Sequence, residues 1–168
     1  MSSDRLRNSI LAARDRRQAL TGRHLPGSHP SLLTLSLNIP GSDKNLPGCE
    51  ALFTTFFEKL KLSFPGLTVL ERENGLLGPW CLLAPGLGPD EAKRACVGLE
   101  ESLPAGRLID LDVYDRNGKQ IGRRELGLPE RGCLLCGQPA VECIRLKRHS
   151  FEQLSVKIDE LLHDYRIR

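Results

Sequence analysis

The chain has no apolar run long enough to cross a membrane, and its N-terminus lacks the apolar core of an export signal. Both absences set the expected compartment as cytoplasmic, with no membrane partner. Nor is there a large charge excess of one sign. A formal net charge of +3 admits anionic ligands or an acidic protein, but it falls well short of the basic surplus of a dedicated nucleic-acid binder, so no nucleic-acid partner is expected. No Gly-x4-Gly-Lys-Ser/Thr loop is present, which excludes the common nucleotide-binding P-loop. Internal repeats and low-complexity tracts are missing too. Six cysteines without an export signal read as thiols or metal ligands and argue against a disulfide framework. What remains is a chain of 168 residues, 40% hydrophobic, expected to form one domain over 1–168 with a real core.

The most informative stretch is Gly106–Asp115. Side chains alternate faces along a strand, so Ile109, Leu111 and Val113 are expected in the core, and Leu108, Asp110, Asp112 and Tyr114 on the other face. Asp110 and Asp112 would then sit about 7 Å apart. Two such carboxylates repel each other and resist desolvation, so a cation is expected between them. Mg²⁺ binds one or two carboxylates together with substrate phosphates, which makes this strand a candidate floor for a phosphate-transfer site. The competing reading is a pair of exposed strand-end acids, or partners for nearby arginines.

Residues 4–20 read as a basic helix, with Asp4 as its cap. Leu6, Ile10 and Leu11 form an apolar stripe among Arg5, Arg7, Arg14, Arg16 and Arg17. That face is either merely solvated, or a clamp for polyphosphate or for an acidic carrier surface. Residues 31–125 read as an α+β core. Leu32–Asn38 alternates as a half-buried strand, and the Pro40-Gly41 turn leading to Lys44 offers amides and a cation to phosphate oxygens. Cys49, Leu52, Phe53, Phe56, Phe57 and Leu60 mark a helix stripe. Strands at 67–70 and 79–83 follow, the latter with Trp80 as packing, and a helix runs from Pro89 to about Glu101. The order of strand, helix, strand, strand, helix, strand predicts a ferredoxin-like βαββαβ antiparallel sheet with both helices on one face. Asn117-Gly118 signals a hairpin, so 119–125 is expected to return as a further strand bearing Arg123 and Arg124 near the acids.

Residues 126–168 form a Cys-rich segment and a final helix. Cys133, Cys136, Cys143 and His149 make Cys-x2-Cys-x6-Cys-x5-His, a four-ligand set for structural Zn²⁺, with reduced packing thiols as the alternative. Ser150 and Gln153 have capping-box spacing ahead of a stripe of Phe151, Leu154, Ile158, Leu161, Leu162 and Tyr165.

Several of these pieces together resemble the apo-citrate lyase phosphoribosyl-dephospho-CoA transferases, also called holo-citrate lyase synthases. They are Gly106–Val113, the run Arg131-x-Cys-Leu-Leu-Cys-x6-Cys-x-Arg-x3-His149, Arg14-Asp15-x-Arg17-Gln18, Pro40-Gly41-x2-Lys44, and Glu100 ahead of the aspartate strand. The resemblance spans almost the whole chain in order. Gly78-Pro79-Trp80 departs from it, since relatives tend to carry an acidic or small residue after that proline. The resemblance implies a nucleotidyltransferase that moves the 2′-(5″-triphosphoribosyl)-3′-dephospho-CoA prosthetic group onto a serine of the citrate lyase acyl carrier protein, the gamma subunit, with loss of pyrophosphate. It implies Asp110 and Asp112 as the catalytic Mg²⁺ ligands. Arg14, Arg17, Gly41, Lys44, Arg107 and Arg124 become candidate substrate and phosphate contacts, and Glu100 or Asp115 a candidate proton acceptor. A similar Asp-x-Asp strand occurs in pterin pyrophosphokinases. The alternatives are therefore a pyrophosphoryl transferase acting on a small metabolite, or a zinc-stabilised binding module without catalysis.

Overall fold

Leucine at every second position of Ser31–Leu37 builds the strand on which the fold is centred. In a computed structural model that describes residues 3–41 and 43–166, this strand, β1, lies in the middle of a four-stranded sheet. The other strands are β2 (Thr68–Glu73), β3 (Trp80–Ala84) and β4 (Ile109–Asp115). Their order is β2-β3-β1-β4, and every neighbouring pair is antiparallel. Five α-helices complete the described residues: α1 (Ser3–Arg23), α2 (Cys49–Ser63), α3 (Pro89–Glu101), α4 (Ala140–Arg145) and α5 (Phe151–Arg166). None is long and apolar enough to cross a membrane.

Leu33, Leu35, Leu83, Ile109, Leu111 and Val113 form one face of the sheet and pack with Phe53, Phe56 and Leu60 of α2, Cys96 of α3 and Leu162 of α5. The opposite face carries a smaller cluster, in which Leu32, Trp80 and Leu82 meet Leu20 of α1. β1 is therefore covered on both sides over most of its length, whereas its alternation predicted one open face. Trp80, 4% exposed, is packing. Helix α1 covers only part of the second face, and the uncovered part of β1 and β4 is where Asp110 and Asp112 lie. The cap expected at Asp4 lies outside the described side chains.

Three local expectations need correction. Leu108 is not on the acid face. It belongs to a short 3-10 turn (Pro104–Leu108) ahead of the strand and is fully buried, because alternation starts only at Ile109. Residues 119–125 do not form a strand. After the turn at Gly118 (φ +84°) there is one bridge, Tyr114 with Gln120, and the Ile121 N–H donates to the Val113 carbonyl at 2.8 Å. The chain then turns away in a 3-10 turn (Arg124–Leu126), as the Gly122 N–H bonds Glu125 and Arg123 swings to Glu100 and Glu101. Phe151, expected in a buried stripe, is 55% exposed, since α5 starts beyond the edge of the core. The capping box itself forms: the Ser150 N–H donates to Gln153 Oε1 at 2.9 Å, and the Gln153 N–H donates to Ser150 Oγ at 3.2 Å.

The passage from α3 into β4 depends on Gly106. A Cβ there would lie 2.1 Å from the Glu100 carbonyl oxygen and 3.1 Å from the Phe56 ring. The first obstacle is backbone and cannot rotate away. Gly106→Ala is expected to destabilise the fold by about 3 kcal/mol, at the upper end of overpacking costs. Chemical denaturation measures this directly, and a change under about 0.5 kcal/mol would contradict the packing described here.

Candidate active site

β4 is an edge strand, so half of its backbone groups have no neighbouring strand. At Leu111 two charged side chains take that place. Lys93 Nζ donates to the Leu111 carbonyl at 2.7 Å, and the Leu111 N–H donates to Glu100 Oε1 at 3.0 Å. Both side chains come from α3, and both are buried. The peptide between the two aspartates is thus pinned from beneath. Arg123 and Arg131 approach the Glu100 carboxylate at 2.6 and 3.3 Å and balance its charge.

On the opposite face, Asp110 and Asp112 stand beside their cross-strand partners Ser36 and Thr34. Burial and the adjacent Asp110 carboxylate push the Asp112 carboxyl up to about 6, with partial relief from Lys93 and from Gln120, whose Nε2 donates to Asp112 Oδ1 at 2.6 Å. Arg131 Nη1 reaches Asp110 Oδ1 at 3.1 Å. Burial and both carboxylates also raise the Tyr114 phenol, to about 12. Two neighbouring carboxylates on one face offer oxygen ligands, which suit a hard divalent cation such as Mg²⁺.

The acids floor a cleft of about 680 Å³ between the sheet and α1. Arg14, Arg17, Gln18 and Thr21 line its helical wall, and Lys44 lines it from the segment after β1. Arg17 is held by Glu73 at 2.8 Å and by the Gly78 carbonyl at 2.6 Å, with its guanidinium 5.6 Å from the Trp80 ring centre. Arg14 is exposed. Lys44 donates to the Ile39 carbonyl, and burial together with the Arg14 charge lowers its pKa. Cations therefore face carboxylates across the cleft, an arrangement suited to a polyphosphate that contacts the cations directly and the carboxylates through a metal.

Asp110, Asp112, Arg14, Arg17 and Lys44 are thus brought together. Other candidates lie elsewhere. Arg124 sits in the 3-10 turn beside a separate surface depression. Gly41 (φ +89°) lies under the Phe151 ring, outside the cleft lining. Arg107 points to the Cys-rich segment and donates to the Gly132 carbonyl. Glu100 is bonded beneath β4, and Asp115 accepts the Asn117 and Lys119 N–H groups at 2.8 and 2.9 Å in the turn. Sequence reasoning gave no role to Lys93 or Gln120. Charged residues on a helix read as surface, and nothing in the local pattern announces Gln120 as a partner of Asp112.

Cys133, Cys136, Cys143 and His149 form one group, with all ligand atoms within 4.8 Å of one another. Cys136 Sγ lies 3.5 Å from Cys143 Sγ and 3.3 Å from His149 Nε2. Tetrahedral thiolate coordination at usual bond lengths places ligand atoms about 3.8 Å apart, so this group could hold a metal with small adjustments. Burial and the neighbouring thiols raise Cys143 to about 11.

A family model described as apo-citrate lyase phosphoribosyl-dephospho-CoA transferase matches residues 6–165. A protein of that name from Citrobacter koseri is 32% identical over 165 residues, covering 92% of this chain and 87% of its own length. A Streptococcus pyogenes serotype M18 protein, named a "probable" member of the same group, is 34% identical over 94% of this chain and 85% of its own. A Vibrio cholerae protein of the same description is 51% identical over 73 residues, 44% of this chain and 41% of its own length. The matched span takes in both aspartates, the cleft cations and all four metal-type ligands, and the chain therefore belongs to the apo-citrate lyase phosphoribosyl-dephospho-CoA transferase family.

Proposed function

We propose that this chain is a cytoplasmic enzyme that transfers the phosphoribosyl-dephospho-CoA group from its 5″-triphosphate donor to a serine of the citrate lyase acyl carrier subunit. Family membership supports the overall reaction. The observation that carries the site assignment is the cleft in which Arg14, Arg17 and Lys44 face Asp110 and Asp112. In this reading the sheet order β2-β3-β1-β4 is that of a ferredoxin-like core, and the part of its second face that α1 leaves open serves as the reaction floor.

The nucleophile belongs to the acceptor. Its serine oxygen forms a bond to the phosphorus next to the ribose, the bond to the bridging oxygen breaks, and pyrophosphate leaves with that electron pair. Glu100 Oε1 accepts the Leu111 N–H beneath β4 and Asp115 accepts the turn amides, so this reading assigns no side chain as the acceptor of the serine proton, which is given up to solvent. The chain's task is to orient the donor in line and neutralise its charge. Arg14 and Lys44 hold the leaving phosphates. Asp110 and Asp112 would hold Mg²⁺, which when bound supplies charge neutralisation at the phosphate oxygens. Gln120 and Arg131 fix the orientation of the two carboxylates. The Cys133, Cys136, Cys143 and His149 set is read as a closed structural zinc centre, because four protein ligands leave no position for substrate.

An enzyme-coupled pyrophosphate assay tests the reading. Release is expected only with donor, apo-carrier protein and Mg²⁺ all present. Full release without the carrier, or none with all three, would contradict it.

A further inference from the structure

Asn38 lines two cavities. One is the cleft above Asp110 and Asp112, and the other is a separate hollow of about 400 Å³ toward the Cys-rich segment. The second hollow differs in kind. Its walls include Pro40, Leu134, Ile144 and Leu154, and two cations, Arg107 and Lys147, line it without any carboxylate. Arg107 Nε is buried and has no hydrogen-bond partner, although the same guanidinium donates to the Gly132 carbonyl. Burial and the nearby Arg131 charge lower its pKa, so a further anion would be welcome there. Cys133, Cys143 and His149 also line this hollow. With a divalent ion bound, their cluster carries one net negative charge, and the lining stays net positive.

Apolar walls with cations and no acids select a ligand that is both chain-like and anionic. The donor of the proposed reaction has such a part. Its triphosphate end suits the polar cleft, while the dephospho-CoA half carries a diphosphate and a long, weakly polar pantetheine arm. We propose that the hollow beside Asn38 seats the dephospho-CoA half of the donor, with the arm against Pro40, Leu134, Ile144 and Leu154 and the diphosphate on Arg107 and Lys147. The assignment rests on the transfer reading. A donor spanning both cavities is held at two points, which fixes the reacting phosphorus over the acids.

Calorimetric titration of the full chain tests this with two probes, dephospho-CoA alone for the hollow and Mg²⁺ with tripolyphosphate for the cleft. Ile144 and Lys147 are exposed, so Ile144→Glu and Lys147→Glu should keep the fold, with unchanged melting temperatures as the check. Each is expected to weaken dephospho-CoA binding at least tenfold and to leave tripolyphosphate binding within twofold. Asp112→Asn is expected to do the reverse. Dephospho-CoA binding that is absent in the wild type, or unchanged in both variants, overturns the assignment. So does a rise confined to the KM for the carrier protein, which would give this face to the acceptor. Normal transfer with unchanged dephospho-CoA binding in both variants refutes the seat alone. Loss of dephospho-CoA binding in the variants of a protein that performs no transfer refutes the reaction alone.

Discussion

Asp112→Asn is expected to lower turnover by about a thousandfold, the scale on which a preorganised electrostatic group acts, and at the same time to raise the melting temperature. The two effects have one cause. Burial and Asp110 push the Asp112 carboxyl up to about 6, above its ordinary value, so the folded protein binds this proton more tightly than the unfolded chain does. Stability from this group is fully present below the unfolded value near pH 4 and is lost as pH rises through about 6. At pH 7.5 the charged pair is therefore a standing cost, of about 1–2 kcal/mol once solvent screening is allowed for. Asparagine removes the charge and can keep an oxygen for Gln120. In metal-free buffer the variant should melt several degrees higher at pH 7.5, at about 2–4 °C per kcal/mol for a chain of this size. The difference should shrink at pH 5. Mg²⁺ should stabilise the wild type and not the variant, through binding to the folded state alone. Calorimetry at the two pH values reads all of this. A lower melting temperature for Asp112→Asn, or retained turnover, would contradict the site.

Removing metal from the Cys-rich segment should have the second largest effect. Among the described residues between Arg131 and His149, Cys143 is the one buried side chain, while Val141, Ile144 and Leu146 are 63, 76 and 52% exposed. A segment with so little apolar burial depends on its ligand cluster for its shape. Its link to β4 is direct. Arg131 reaches Asp110, Glu100 and the Ile109 carbonyl, and Arg107 grips the Gly132 carbonyl. Cys136→Ser removes the ligand that touches both Cys143 and His149. The variant should bind no zinc where the wild type takes it up, exchange the amides of 131–149 rapidly, and keep the sheet amides protected. Turnover should fall about 10- to 100-fold, the range for loss of a supporting contact. Arg131→Gln should show a similar loss of turnover with zinc retained and the segment still protected, which separates the tether from the metal. Full activity in zinc-free Cys136→Ser would show that the segment does not support the site.

Features governed by local periodicity are legible in the amino-acid sequence. Alternation alone sets Asp110 and Asp112 on one face, and helical spacing alone aligns Leu52, Phe53, Phe56 and Leu60. Short spacing within 133–149 assembles a cluster through a tight turn and one turn of helix. Features set by tertiary packing are not legible there. Lys93 and Glu100 fall near the two ends of a helix and look solvated, yet they replace a missing fifth strand. The Asn117-Gly118 hairpin signal is real, but a strand needs a partner along its length, and Arg123 finds Glu100 first. Arg107 precedes the aspartates in the chain, but it lies in the 3-10 turn ahead of the alternation and so faces the Cys-rich segment.

Intact-mass spectrometry of purified apo-carrier protein, incubated with this chain, Mg²⁺ and the triphosphoribosyl donor, tests the central claim most directly. The account predicts a carrier heavier by one complete phosphoribosyl-dephospho-CoA group on a serine, formed by the wild type and not by Asp112→Asn. An unmodified carrier, or one that gains only a phosphate or pyrophosphate, would contradict it.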